Sequence, residues 1–382
     1  MPGGAATRLL WRGLRQETQQ PGLFGRQRER STVSDYSILN MLQRRMTETL
    51  AQRQPFPAEP EALLARLSQT RAQLRECLGT LPERVVEPRV RIEASVHLEG
   101  TDVIQERIVY RTEEDVWVPA HIYRPTDTGR EGLPGVLLIQ GWDLDKHSMP
   151  QFKVKLAEAG YVVLFPDNRF SGERRRQLTG QAEQSNLLPV AGLFGLTFMG
   201  MNTWDNMRAL DVLAARPDVD ANSLGVVGLC WGGMQAWTLA ALDERIKAAC
   251  PVCSVSTYEA LVREYITFTG GHTCYGTYIW QWAKYGDTQD IIACIAPRPL
   301  LLQNNVNDTW FPLSGFHRVV DEVGQVYHTL GAEDCFEACA RITEHDITPD
   351  FGSRVIDWFS RHITRSENCG TEETSPSRPQ WT

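Results

Sequence analysis

The sequence predicts an α/β domain, a doubly wound and mostly parallel mixed sheet with antiparallel strands at its N-terminal side and a helical extension in front of it. Three observations predict it. Segments that alternate apolar and polar residues come first, short continuous apolar runs follow after Pro134, and amphipathic helical stretches lie between those runs. Alternation is the mark of half-solvated antiparallel strands, whereas a continuous run suits a parallel strand covered on both faces. Strands of the first kind followed by β-α alternation give a mixed sheet, and such a sheet places reactive residues at the carboxyl ends of its strands.

Composition bounds the function before any motif is read. The chain has 382 residues, 42% of them hydrophobic and 23% charged, with a formal net charge of −8. That is enough chain for one large domain with extensions. The mild acidity argues against a nucleic-acid partner, and no apolar run reaches the roughly 18 residues a membrane span requires, so no membrane association is expected. Nine cysteines, an odd number without framework spacing, include a single C-x-x-C, Cys250-Pro-Val-Cys253. With no second pair to complete a zinc site, these two read as buried strand-end thiols, a redox or metal pair being the alternative. Free thiols imply a reducing, cytoplasmic location.

Taken in order, residues 1–34 are rich in Gly, Arg and Gln and read as a flexible basic tail. Residues 35–84 form a helical extension: apolar residues recur at helical spacing from Tyr36 to Leu50 and from Pro60 to Leu78, with the Pro-rich stretch Gln54 to Pro60 between them. The two helices are expected to pack on the domain or to serve as the arm of a homodimer. The domain itself spans residues 85–363. Val90 to Leu98, Val103 to Tyr110 and Val116 to Tyr123 are the alternating strands; Val136 to Ile139, Tyr161 to Phe165, Leu224 to Leu229, Ile246 to Val252 and Leu300 to Leu302 are the buried ones. Helices are expected at Phe152 to Ala159, stopped by Gly160, and from Thr203 to the break at Pro217. Residues 364–382 are polar and read as a disordered tail.

Gly228-Leu229-Cys230-Trp231-Gly232-Gly233 directly follows the run Leu224-Gly225-Val226-Val227. A strand entering a sharp turn and then a helix, with glycines around one presented side chain, is a nucleophile elbow. Neighbours without a Cβ accommodate the strained backbone and the close helix. A nucleophile needs a base and a group to orient the base, and in this architecture the acid and then the histidine follow it in the chain. Leu300 to Asp308 is a buried strand running into a polar turn, and Phe336 to Ile342 is the last strand, followed by Glu344-His345-Asp346. Cys230, Asp308 and His345 are therefore the expected catalytic residues; His147 and His272 compete for the base, and Asp346 for the acid. Backbone amides of Trp231 and of Trp142, after Gly141, are expected to form the oxyanion hole.

These residues resemble the dienelactone hydrolase-like, acetyl-xylan-esterase-like branch of the α/β-hydrolases over about residues 85 to 363. The resemblance rests on the elbow, on Trp204-Asp205-Asn206-Met207-Arg208-Ala209-Leu210-Asp211, on Ala240 to Ala248, and on Ala296-Pro297-Arg298-Pro299-Leu300-Leu301. It implies the α/β-hydrolase fold and hydrolysis of an ester or lactone by a Cys230, His345 and Asp308 triad, with no cofactor and no metal. Two departures stand out. Gln140-Gly141 occupies the place of a His-Gly pair in many relatives, and Glu344-His345-Asp346 that of Gly-His-Glu.

Sulfur suits activated acyl groups, because a thiolate is strongly nucleophilic yet also leaves readily from a tetrahedral intermediate. Helix N-termini and neighbouring imidazolium ions favour the thiolate form. The thioester so formed can be taken by water or by another nucleophile, so an acyltransferase, cyclase or thioesterase shares the chemistry, and an inactive elbow serving as a binding module is the reading from a different class. Aromatic residues crowd the irregular stretch Ser254 to Asp290, which suits a small-molecule substrate with a flat or aromatic acyl group. Arg169, Tyr275, Tyr278 and Trp310 are the expected substrate-binding residues.

Overall fold

A nine-stranded sheet organises the chain in the computed structural model, which describes residues 38–82, 87–126, 132–175, 180–265, 277–308, 310–342 and 345–363. Both expected terminal tails lie outside the described residues. The chain divides into two compact units, Met1–Arg44 and Arg45–Thr382; of the first, only the beginning of helix α1 (Ile38–Leu50) is described. The strands of the second unit are β1 (Val90–His97), β2 (Val103–Arg111), β3 (Trp117–Pro125), β4 (Leu133–Ile139), β5 (Val162–Pro166), β6 (Val219–Leu229), β7 (Ile246–Val252), β8 (Leu300–Asn305) and β9 (Phe336–Arg341). Their order across the sheet is β1-β2-β3-β5-β4-β6-β7-β8-β9. Pairing is antiparallel from β1 to β5 and parallel from β5 onward.

The residue patterns account for this division. β5 and β8, continuous apolar or uncharged runs, are buried at every position, as strands covered on both faces must be. β1 differs from the half-solvated strand its alternation predicts. All eight of its residues are exposed, because it lies at the edge of the sheet beyond the reach of the covering helices.

The remaining helices are α2 (Pro60–Cys77), α3 (Pro150–Glu158), α4 (Gly180–Gly192), α5 (Phe198–Ala215), α6 (Trp231–Leu242), α7 (Thr288–Ala293), α8 (Leu313–Thr329) and α9 (Pro349–His362). α3 and α9 cover one face of the sheet, and α5, α6 and α8 the other. α2 packs outside α6 and α7, burying Leu63, Leu67 and Leu74. Its Arg71 donates to the carbonyls of Ala241 at 3.2 Å and Cys294 at 2.7 Å, supplying partners at the C-terminal ends of α6 and α7, where helix carbonyls lack them. Among the described residues no helix is long and apolar enough to cross a membrane.

The chain leaves β4 for β5 on one side and returns to β6 on the other, so a crevice opens at the carboxyl ends of β4 and β6. Two glycines let the elbow sit directly against β4. A Cβ on Gly232 would strike the Ile139 carbonyl, and one on Gly228 would strike the Gly232 carbonyl.

Beside this crevice the fold buries a charge cluster. The Arg169 guanidinium, on the loop after β5, grips Asp205 of α5 through Nε at 2.8 Å and a second nitrogen at 3.0 Å, and reaches Glu113 at 2.7 Å. Arg174 adds a bond to Asp205 at 2.8 Å. Burial opposes the charge on Asp205, yet Arg174 and Arg169 outweigh it and hold the carboxyl below its usual range. The neighbouring Trp204 indole donates to the Thr112 carbonyl at 3.0 Å, and Asn206 donates to Gln235 at 2.8 Å. The segment Trp204 to Asp211 thus ties α5 to the β2–β3 turn and to α6.

A depressed carboxyl stabilises the fold above its unfolded pKa of about 3.9 and loses that contribution as pH falls through the folded value. Replacing Arg169 by Met leaves Asp205 with Arg174 alone and is expected to cost about 3 kcal/mol, the lower end for breaking a buried pair. Urea unfolding at pH 7 measures the loss, and KM for an ester substrate should stay at the wild-type value in the folded protein.

Candidate active site

Cys230 stands between β6 and α6 with φ 57° and ψ −120°, a conformation that costs energy for a residue with a Cβ and is held by its surroundings. Its amide donates to the Val252 carbonyl of β7 at 2.9 Å, and its carbonyl accepts from Met234 at 3.0 Å, opening α6. The thiol therefore sits at the N-terminus of a twelve-residue helix, whose dipole favours an anion there. The next amide, that of Trp231, belongs to the first turn and has no acceptor within its own helix.

Asp308 and His345 arrive from later strand ends. The Asp308 side chain is fully buried after β8, and Oδ1 accepts from the amides of Trp310 at 2.8 Å and Phe311 at 3.2 Å. Those two bonds leave Oδ2 to meet His345 Nδ1 at 2.8 Å. A carboxylate only accepts, so Nδ1 carries the proton and Nε2 is the nitrogen presented to the site. The Phe311 ring stacks on the imidazole with 6.0 Å between centroids and 10° between planes. Nε2 is buried, and among the described residues no partner meets it in hydrogen-bond geometry. Burial lowers the pKa of His345, but the Asp308 hydrogen bond and the Cys230 sulfur outweigh it and push the imidazole up to about 10. The sulfur is thus close enough to stabilise the imidazolium.

Cys230 and His345 share the wall of a cavity of about 330 Å³. Gly141, Trp142, Leu144, Trp231, Met234, Leu261, Trp310 and Phe311 supply most of the lining, and Asp346 lines it as well. Trp142 and Trp231 meet edge to face across 6.5 Å, which places both elbow-side residues expected to offer amides on the same wall. Gln140 points away from the cavity: with its amide oriented to satisfy both neighbours, it donates to the Pro166 carbonyl and accepts from the Asn168 amide at 2.7 Å.

Of the four expected substrate-binding residues, Trp310 lines the cavity, with its ring 6.2 Å from that of His345. Arg169 does not: its guanidinium is committed to Asp205 and Glu113, a demand that short-range sequence pattern does not display. Tyr278, half-buried, packs against Tyr258 at 5.7 Å between centroids at the margin of the core and is not among the described residues that line the cavity. Tyr275 lies outside the described residues, as does His272. His147, the other competing base, packs edge to face on the buried His121 at 4.8 Å.

Three neighbours of the triad escape a reading by motif. Phe311 follows Trp310 in sequence and carries the imidazole on its ring. Asn305 ends β8 and donates to the Asp346 carbonyl at 3.3 Å and to Cys253 Sγ at 3.2 Å, securing the loop that bears His345. Cys253 is a fully buried thiol at the end of β7, and its sulfur, an Asp308 oxygen and a His345 nitrogen all lie within 4.8 Å of one another. These three are the group among the described residues that could supply clustered metal ligands. Their present bonding runs otherwise, since Asp308 and His345 bond each other, and burial, then Asp308 and Cys230, push the Cys253 thiol up and keep it protonated.

Comparison with known proteins agrees with the fold. The model of the dienelactone hydrolase family matches residues 118–261. The chain is 31% identical over 296 residues to "Putative hydrolase YtaP" of Bacillus subtilis (strain 168), covering 73% of this chain and 93% of that protein. Among solved structures, "Methylesterase BT1017" superposes with a TM-score of 0.66 at 19% identity, covering 84% of this chain and 67% of its own. A glucuronoyl esterase from Teredinibacter turnerae T7901 superposes with a TM-score of 0.62 at 12% identity, covering 83% and 90%. The strand order, the elbow at the crevice and these likenesses together place the chain in the dienelactone hydrolase family, carboxylic-ester hydrolases of the α/β-hydrolase fold.

Proposed function

We propose that this protein hydrolyses esters or lactones of activated, uncharged acyl groups through a thioester on Cys230. One observation carries the reading: the elbow thiol and the His345 imidazole border the same apolar cavity, while Asp308 holds Nδ1 of that imidazole. With the His345 imidazole already protonated, the Cys230 sulfur attacks the acyl carbonyl. The amides of Trp231 and Trp142 receive the developing oxyanion. Nε2 then protonates the departing alkoxide, and in the second half-reaction it takes a proton from the water that cleaves the thioester.

The cavity wall supports the choice of acyl group. Among its described residues it has no cation, so a carboxylate on the acyl portion would lose its water without gaining a partner. A second cavity of about 410 Å³ shares Leu144, Leu229 and Asp346 with the first and adds Ser148, Gln151 and Lys155. It adjoins the loop after His345, where Ser148, Gln151 and Lys155 can offer hydrogen bonds to the hydroxyl of an alcohol while Met149, Phe152 and Ile347 cover its carbon skeleton.

Cys230→Ala is expected to lower kcat/KM for 4-nitrophenyl acetate by about 10³-fold or more, as loss of a nucleophile does. Intact-mass measurement of the wild-type protein mixed rapidly with the same ester should find one acetyl group, located on Cys230 by peptide mapping. An unacylated protein that still turns over would remove the thioester route.

The pH dependence follows from the raised imidazole. His345 keeps its proton through neutrality, so the stabilisation from its charged form is full below an unfolded value of about 6.5 and is lost as pH rises through about 10. The alkaline limb of kcat/KM should fall in that upper range, and Asp308→Asn, which removes a stabilising charge, should move it to lower pH.

Acyl selectivity is checked with paired aryl esters. A 4-nitrophenyl ester of an uncharged acid should exceed the matching hemisuccinate ester in kcat/KM by about tenfold or more, the equivalent of about 1.4 kcal/mol of unrecovered carboxylate hydration. Equal rates would place a cation in the acyl site.

A further inference from the structure

Cys253 plays no part in the reaction above, yet the fold sets it beside the nucleophile. β6 and β7 are parallel, with Leu229 opposite Val252, and the Cys230 amide bonds the Val252 carbonyl. The next residue of each strand is a cysteine. Adjacent strands lie about 4.8 Å apart, inside the roughly 4.4–6.8 Å separation of Cα atoms that a disulfide spans. Both residues leave their strands with positive φ, 57° at Cys230 and 48° at Cys253, so neither continues the ordinary extended path that would hold its side chain to one face of the sheet. The pair suggested by the C-x-x-C spacing is ruled out by the same geometry. Cys250 and Cys253 lie on one extended segment, three residues or about 10 Å apart, and Cys250 faces Val227.

We infer that Cys230 and Cys253 form a reversible disulfide when a hydroperoxide enters the active-site cavity, making Cys253 the resolving thiol that protects the nucleophile from irreversible oxidation. The two cysteines differ in the way this requires. Cys230 is half-buried and lines the cavity, where a small peroxide reaches it, whereas Cys253 is fully buried behind it. Burial also keeps the Cys253 thiol protonated, so it does not react with peroxide directly. A nitrogen of His345 lies within 4.8 Å of the Cys253 sulfur, which places the imidazole beside both thiols.

The chemistry balances with a hydroperoxide as the sole oxidant. The Cys230 thiolate attacks the O–O bond; an S–O bond forms, the O–O bond breaks, and the alcohol or water that leaves takes the proton from His345. The neutral imidazole then accepts the Cys253 proton as that sulfur attacks the sulfenic acid. The S–S bond forms, the S–O bond breaks, and hydroxide leaves with the same proton as water. Two thiols are oxidised and one peroxide is reduced.

The inference rests on Cys230 being the accessible nucleophile of the proposed function. Limited hydrogen peroxide on the full-length reduced protein should abolish ester hydrolysis, lower the intact mass by about 2 Da and yield a Cys230–Cys253 cross-linked peptide, with activity restored by dithiothreitol. In Cys253→Ala, and in Cys253→Ser should the alanine variant fold poorly, the same treatment should add two or three oxygens to Cys230, and dithiothreitol should restore at least about tenfold less of the starting activity than in wild type. Oxygen addition to Cys230 in the wild type without the cross-link, or equal recovery in the variants, overturns the inference. Acetylation of Cys230 in the untreated protein is measured alongside: a protein that acylates there but does not cross-link keeps the catalytic reading and loses this one.

Discussion

The space that a Cβ on Gly232 would fill is occupied by the Ile139 carbonyl at the end of β4. That backbone contact presses α6 and the elbow against the central strand, and much of the site depends on it. It brings Cys230 to the mouth of the crevice, turns the first amides of α6 toward it, and sets Trp231 across from Trp142 on one wall. A substitution at Gly232 would separate α6 from β4 and displace Cys230 and both expected oxyanion donors together. Asp308 and His345, carried by β8 and β9, would keep their own bond but face a relocated sulfur.

Charge is distributed so that the cavity stays apolar. Arg169 and Arg174 are spent on Asp205, and Lys146 is buried against Asp167 at 2.7 Å, with the two side chains 1% and 0% exposed. Each of these clusters neutralises itself beside the crevice rather than within it. Inside, the ionisable groups on the wall are Cys230, His345 and Asp346. In a poorly hydrated pocket the field of so few charges is felt strongly, which is why one sulfur and one carboxylate overcome the desolvation of His345.

Much of this was legible in the sequence because it is written in local pattern. Continuous apolar runs marked the buried strands, the glycine spacing marked the elbow, and chain order led to Asp308 and His345, which the structure joins at 2.8 Å. Features set by contacts distant in sequence were not legible. Arg169 is 36 residues from Asp205 and 56 from Glu113, so nothing near it announces that its charge is already used. The exposure of β1 depends on its place at the sheet edge rather than on its own alternation. Cys253 is a buried strand-end thiol, as its position in the sequence predicts, but its neighbour across the strands is set by the β6–β7 register, which the C-x-x-C spacing to Cys250 does not display.

The cysteine and the raised imidazole depend on each other. A serine nucleophile needs a neutral imidazole to take its proton, and an imidazole held at about 10 is already protonated at neutral pH. A thiol is far more acidic than an alcohol, so a cysteine at the elbow is compatible with an imidazole that is already charged. Part of what keeps His345 charged is the Cys230 sulfur itself. Replacing that sulfur by oxygen therefore changes what holds the charge on the imidazole as well as the side chain at the elbow, with Asp308 left as its other partner. The two amides that hold Oδ1 of Asp308 fix where that partner sits, and through it which nitrogen of the imidazole faces the sulfur.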